Sequence, residues 1–181
     1  MSIKRTSLSA LCAVAAIGVS SVAQAAMTSG VTGQDTNFAV NAAQGGMAEV
    51  KLAAVAMQKS KNPSVLAFAR KMNADHTKNN AQLATIVKSE GMMPPSDVGP
   101  AKKAMMAKLQ GLSGAAFDSA YLKSQVTAHQ QMLALMQKEA SAGSDAKLVS
   151  FAKMTAPVVQ QHLSMAQKDA SGGNAMSGMK M

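Results

Sequence analysis

Tryptophan is absent from the 181 residues, and cysteine and tyrosine occur once each. The single cysteine, Cys12, lies in the amino-terminal stretch MSIKRTSLSALCAVAAIGVSSVAQA. That stretch has the layout of a secretory signal: a basic start at Lys4 and Arg5, an apolar run from Leu8 to Val19, and small residues at Ala23 and Ala25. Cleavage is expected after Ala25, so residues 1–25 leave and take the thiol with them. The exported chain, periplasmic or secreted, then has no disulfide and no thiolate to act as nucleophile or ligand. The apolar run is short for a membrane span. Leu11 ahead of Cys12 argues against a lipoprotein signal, and no later segment is long and apolar enough to cross a bilayer.

Arginine and acids are also scarce. The chain carries 18 Lys and Arg against 9 Asp and Glu, a net charge of +9. This falls to +7 when Lys4 and Arg5 leave, with Arg70 the only arginine of the exported chain. Nucleic-acid surfaces cluster arginine and interleave aromatic stacking residues. Spread lysine with Tyr121 as the sole tyrosine excludes that class and describes a solvated basic exterior, with weak attraction to an anionic envelope surface as its one expected use. Missing too are Gly-x-Ser-x-Gly, a phosphate loop and His-Glu-x-x-His, so no hydrolase signature is present.

What the chain does have is helical periodicity. Residues 26–36, rich in Gly, Ser and Thr, read as a flexible lead. The apolar period is then near 3.6 throughout 37–170, with no alternating strand pattern. A first helix is expected over 37–60. Asn62-Pro63 supplies a cap and a first-turn proline for a second helix that ends at Gly91, before Pro94-Pro95. A short helix near 101–110 precedes a third long helix capped by Ser113. The turn at 141–145, with Ser144 as cap, starts a fourth, which Pro157 should bend. The 171–181 tail, SGGNAMSGMKM, reads as disordered. AMQKSKNPSVLAFARKM (56–72) aligns with LMQKEASAGSDAKLVSFAKM (135–154) after one gap. Two related helix hairpins should therefore pack as one all-α four-helix bundle, since neither could bury its apolar face alone. A homo-oligomer of such bundles is a further expectation.

All three histidines fall on apolar stripes, each on a different helix: His76 with Val65, Phe68, Met72, Asn79, Leu83 and Ile86; His129 with Phe117, Tyr121, Gln125, Met132 and Met136; His162 with Leu148, Phe151, Thr155, Val158 and Met165. Glu49 borders the stripe of the first helix. Each helix thus offers one inward ligand. Helix rise puts Glu49, His76 and His129 roughly 20 Å from their turns, and His162 on the order of 7 Å further. Imidazole and carboxylate donors suit iron, zinc or copper. Hydrogen bonds among the histidines and Asn79 are the alternative use, and Asp75 is placed either to orient a neighbouring imidazole or to face water. Fifteen methionines remain after processing, mostly as core filler; Met176, Met179 and Met181 in the tail are soft donors suited to Cu(I).

The strings AAQGGMAEVKLA (42–53), FARKMNADHTKNNAQL (68–83), LSGAAFDSAYL (112–122), AHQQMLAL (128–135) and FAKMTAPVVQQHLSMA (151–166) resemble the bacterial family called domain of unknown function 4142, over about residues 38–167. The resemblance implies a ferritin-like four-helix bundle, exported and often labelled an outer-membrane or periplasmic protein, with no established activity. The family's second Asp-His is here Ala128-His129, and an acid common after its first Asp-His is here Gln82. With Glu49 the only core glutamate, a bridged di-iron site lacks carboxylates. Three functions are therefore expected, in this order: a non-enzymatic envelope bundle, with a stress-related role in view; a metal-binding protein using Glu49, His76, His129 and His162; and a degenerate ferritin-like oxidase.

Overall fold

A computed structural model describes residues 30–177, with side chains through 172. The segment 1–25, expected as a signal, lies outside the described residues, as do positions 26–29 and 178–181. Five helices follow one another: α1 (Gly33–Lys59), α2 (Pro63–Ser89), α3 (Pro100–Gln110), α4 (Gly114–Ala142) and α5 (Ala146–Ser177). No strand occurs among the described residues.

Local chemistry sets the ends. Thr32 and Asp35 form a reciprocal capping box, so α1 begins at Gly33, inside the segment expected as a flexible lead. Asn62 accepts from the Ser64 amide at 2.9 Å, and Pro63 occupies the first turn of α2, as the sequence indicates. Gly91, at φ 70°, closes α2 in a conformation that side chains with a Cβ rarely take. Ser113 stands at the start of α4 with extended backbone, but its hydroxyl makes no capping bond. The cap of α5 is Asp145 rather than Ser144: its Oδ1 accepts from the Leu148 amide at 2.8 Å. Helix α5 passes through Pro157 and continues to Ser177, into the segment expected as a tail.

Three-residue turns join α1 to α2 and α4 to α5, making two hairpins. The hairpins pack α1 on α4 and α2 on α5, and α3 lies over α1 and α4 as part of the crossover. Lys59 ties that crossover down by donating to the carbonyls of Gln110 and Leu112 at 2.6 and 2.9 Å.

The core is divided. One apolar cluster holds Leu52, Val65, Phe68, Met72, Phe117 and Tyr121 toward the α1–α2 turn. The other holds Phe38, Leu83, Val87, Met136, Leu148 and Phe151 toward the α4–α5 turn. Phe68 meets Tyr121 edge-on at 6.1 Å and Phe117 stacks on Tyr121 at 5.8 Å, so the first cluster is aromatic-rich despite the low aromatic content. Full burial of each such side chain stabilises the fold by about 1.5–3 kcal/mol. In each long helix the residues of one cluster are separated from those of the other by a short polar interval, at Glu49, His76, His129 and His162. The bundle therefore has a polar waist.

Candidate metal centre

At the waist three helices each contribute one imidazole. His76 (α2), His129 (α4) and His162 (α5) are 5, 1 and 0 % exposed. Their ring centroids are 5.6 Å apart for His76 and His129, and 5.4 Å for the other two pairs. One nitrogen from each ring lies within 4.8 Å of the others.

Outer partners fix the proton on two of the rings. His129 Nδ1 lies 2.9 Å from the Gln125 carbonyl; a carbonyl only accepts, so Nδ1 carries the hydrogen and Nε2 the lone pair. His162 Nε2 donates to Asp75 Oδ2 at 2.7 Å, which leaves the lone pair on Nδ1. Asp75 is itself held by Lys71 at 2.9 Å, one helical turn earlier on α2. His129 Nε2, His162 Nδ1 and His76 Nε2 are all buried and have no hydrogen-bond partner among the described residues.

Burial favours the neutral form of two of the rings. Burial, then the neighbouring His129 and His162, push His76 down to about 3. Burial also lowers His162, against the opposing pull of Asp75. Glu49 is raised by burial, with His129, Gln125 and Lys102 pulling the other way. The Tyr121 hydroxyl, buried and without a partner among the described residues, is pushed up by burial and then by the Glu49 charge.

Beside the imidazoles lies a cleft of about 250 Å³ between α1, α3 and α4, bordered by Glu49, His76, Lys102, Met105, His129 and Met132. Small residues on α1 make room for it. A Cβ at Gly45 would lie 2.4 Å from the methyl of Met132, so glycine lets the thioether reach across from α4.

Sequence depth set His162 apart; the structure brings it into the cluster and leaves Glu49 to one side, on the cleft wall. The reason is side-chain direction. Helical side chains lean toward their own amino terminus. In the antiparallel α4–α5 pair, His129 therefore leans away from the turn and His162 back toward it, which closes the gap that counting residues leaves. Asn79 is half-buried and borders a smaller cavity beside His76, and it makes no hydrogen bond to the three rings among the described residues. On α5 the buried position is Val159, with Val158 half-buried. The copper-suited tail methionines Met176, Met179 and Met181 carry no described side chain.

Residues 20–168 match the family whose description is "Domain of unknown function (DUF4142)". The chain belongs to this family. No curated protein matches it. Among solved structures it is similar to a DUF305 fragment from Deinococcus radiodurans, with a TM-score of 0.70 and 15 % identity, covering 78 % of this chain and 97 % of that one. At that identity the likeness establishes a shared helical fold. The family's description names no activity, which leaves the waist to be interpreted on its own chemistry. No described helix is long and apolar enough to cross a membrane.

Proposed function

We propose that this is an exported metal-binding protein that holds one divalent transition-metal ion through His76, His129 and His162. The observation that carries this reading is the convergence of three buried imidazoles, each with one ring nitrogen left without a partner among the described residues. Buried polar atoms are almost always hydrogen-bonded, and each exception calls for a reason. Imidazoles that served only to brace the bundle would spend these nitrogens on one another or on nearby carbonyls.

Other features support it. Two of the rings donate their second nitrogen to a carboxylate and a carbonyl, the arrangement that orients metal-ligating histidine and raises its basicity. The depressed His76 and His162 remain deprotonated at neutral pH, as ligands must be. Nitrogens bound tetrahedrally at about 2 Å lie about 3.3 Å from one another, so the rings need to move inward only slightly from their present separations. Three neutral imidazoles suit zinc, copper or iron. A bridged di-iron centre needs several carboxylates; the waist offers Glu49 and Asp75, and Asp75 is engaged with His162.

The test is elemental analysis of protein purified from the exported fraction, beside a His76→Ala/His129→Ala variant. One bound ion per chain, absent from the variant, is expected. Equal metal content in the two would defeat the reading.

A further inference from the structure

We propose that the cleft between α1, α3 and α4 binds a small monoanion, of carboxylate or azide size, which completes the coordination of the ion at the three imidazoles and pairs with Lys102. This rests on the metal reading above and goes beyond it by making the centre a receptor for a second ligand.

Three protein ligands leave a four-coordinate ion one further position, the arrangement of sites that meet an exogenous group rather than of closed structural sites. The direction of that position follows from the walls. His76 and His129 both border the cleft, and His162 lies behind them against Asp75. Helix α1, which in a closed site would supply the remaining ligand, here presents Gly45 and Ala48 to the cleft and sets Glu49 outside the cluster of ligand nitrogens. The space that results, about 250 Å³, holds several water-sized groups.

The polar groups in the cleft point to a negatively charged guest. At the metal's own level the charge of a divalent ion is opposed on the far side by Asp75, which leaves a positive excess facing the cleft. Lys102, half-buried on α3, adds a second positive charge to the wall. Glu49 Oε2 is buried there without a partner among the described residues, and its carboxyl can receive or donate a hydrogen bond according to its protonation. The remaining walls at Met105 and Met132 are apolar and adaptable, so they exclude bulk water without dictating the shape of the guest. Exposed Asn41 and Gln131 border the same cleft and mark its route to solvent.

Azide titrated into the cobalt(II)-loaded full chain tests the proposal, read by the visible bands of the cobalt ion. Saturable, one-to-one spectral change is expected. In Lys102→Met the azide affinity should fall about three- to fivefold, the scale of one partly exposed ion pair, with cobalt content and helical circular dichroism unchanged. Lys102→Glu should weaken azide further and flatten its dependence on ionic strength. A spectrum indifferent to azide at one cobalt per chain overturns the anion site and leaves the metal site standing, as does azide binding equally tight in both lysine variants. Failure of cobalt to load at all defeats the three-histidine reading itself.

Discussion

The bundle buries polar groups in two places, and they solve the problem of burial in opposite ways. At the end near the α4–α5 turn, Asp35 is fully buried and receives four hydrogen bonds. Oδ2 accepts from the Thr32 amide and hydroxyl at 2.6 and 2.5 Å, and Oδ1 accepts from the amides of Ser144 and Asp145 at 2.9 and 3.1 Å. Burial pushes this carboxyl up, but the four donors outweigh it and hold it well below the usual range. Glu139, beside it, has two oxygens without a donor among the described residues, and it is pushed up to about 7 by burial and then by Asp35. It holds its proton below about pH 7. The chain itself thus satisfies Asp35 in full at this end. At the waist one nitrogen on each of three convergent imidazoles is unmet among the described residues, beside Glu49 Oε2 and the Tyr121 hydroxyl. On the reading proposed above these nitrogens await an electron-pair acceptor, and none of the described residues is bonded to them. A buried carboxyl met by four donors reads as structure, and the convergence of unmet imidazoles is what supports the proposed metal site.

The largest expected effect is at the self-sufficient end. Asp35→Ala strands the Ser144 and Asp145 amides and dissolves the α1 capping box, so the variant should lose about 3–5 kcal/mol in urea unfolding, with the denaturant slope unchanged. A loss under about 1 kcal/mol would erase the contrast between the two regions. The waist should behave in the reverse sense. Free zinc at about a hundred times its Kd should stabilise the wild type by about 2.7 kcal/mol and leave His76→Ala/His129→Ala unmoved. In metal-free protein, His76→Leu should cost nothing or stabilise, because it removes a buried polar atom that has no partner among the described residues. A clear loss of metal-free stability in His76→Leu would assign the ring a structural part.

Asp75 tests the same contrast one layer out. Asp75→Asn keeps the shape but no longer selects the His162 tautomer with its lone pair facing inward. Metal affinity should fall about 10- to 100-fold, measured by competition with a chromophoric chelator. Unchanged affinity would mean that the 2.7 Å contact orients nothing.

The legible and illegible parts of this fold divide along the same physical line. The four long helices follow from a period of 3.6, and the start of α2 from Asn62-Pro63, because these are local signals carried by adjacent residues. The inward turn of His76, His129 and His162 follows from the stripes they share with Phe68, Tyr121 and Phe151. The start of α1 is also written locally, as Thr32-x-x-Asp35, but it is masked by the surrounding Gly and Ser. Their convergence in one layer needs the lean of side chains along antiparallel helices, which residue counting omits. The Asp35–Glu139 pair has no sequence signature at all. Asp35 and Ser144 are 109 positions apart, and only the closed bundle brings them together. The choice of Asp145 over Ser144 as the α5 cap belongs to the same class, since the Ser144 amide is already committed to Asp35.

The smallest expected effect separates the two regions by pH. Glu139 has an ordinary value of 4.5 and is raised to about 7 in the fold. Between these values the native chain holds a proton that the unfolded chain has released. Stability therefore falls as pH rises through that window, and the contribution is gone above about pH 7. His76 acts in the opposite direction: neutral in the fold down to about 3 but protonated in the unfolded chain below about 6.5, it lowers stability as pH falls through that range, and His162 shares its sign. The wild-type curve mixes the two. Glu139→Gln isolates the first, because its permanently neutral amide leaves the histidines untouched and still faces Gln34, Asp35 and Asp145. Thermal unfolding of metal-free protein should show the two chains nearly equal at pH 5, with the variant ahead by about 1–2 kcal/mol at pH 8. Adding zinc should raise both chains by the same amount at each pH, since the carboxylate pair and the imidazole layer lie at different levels of the bundle and share no partner. A zinc effect that changes with the Glu139 substitution would show that the two buried sites are coupled through the helices that carry them.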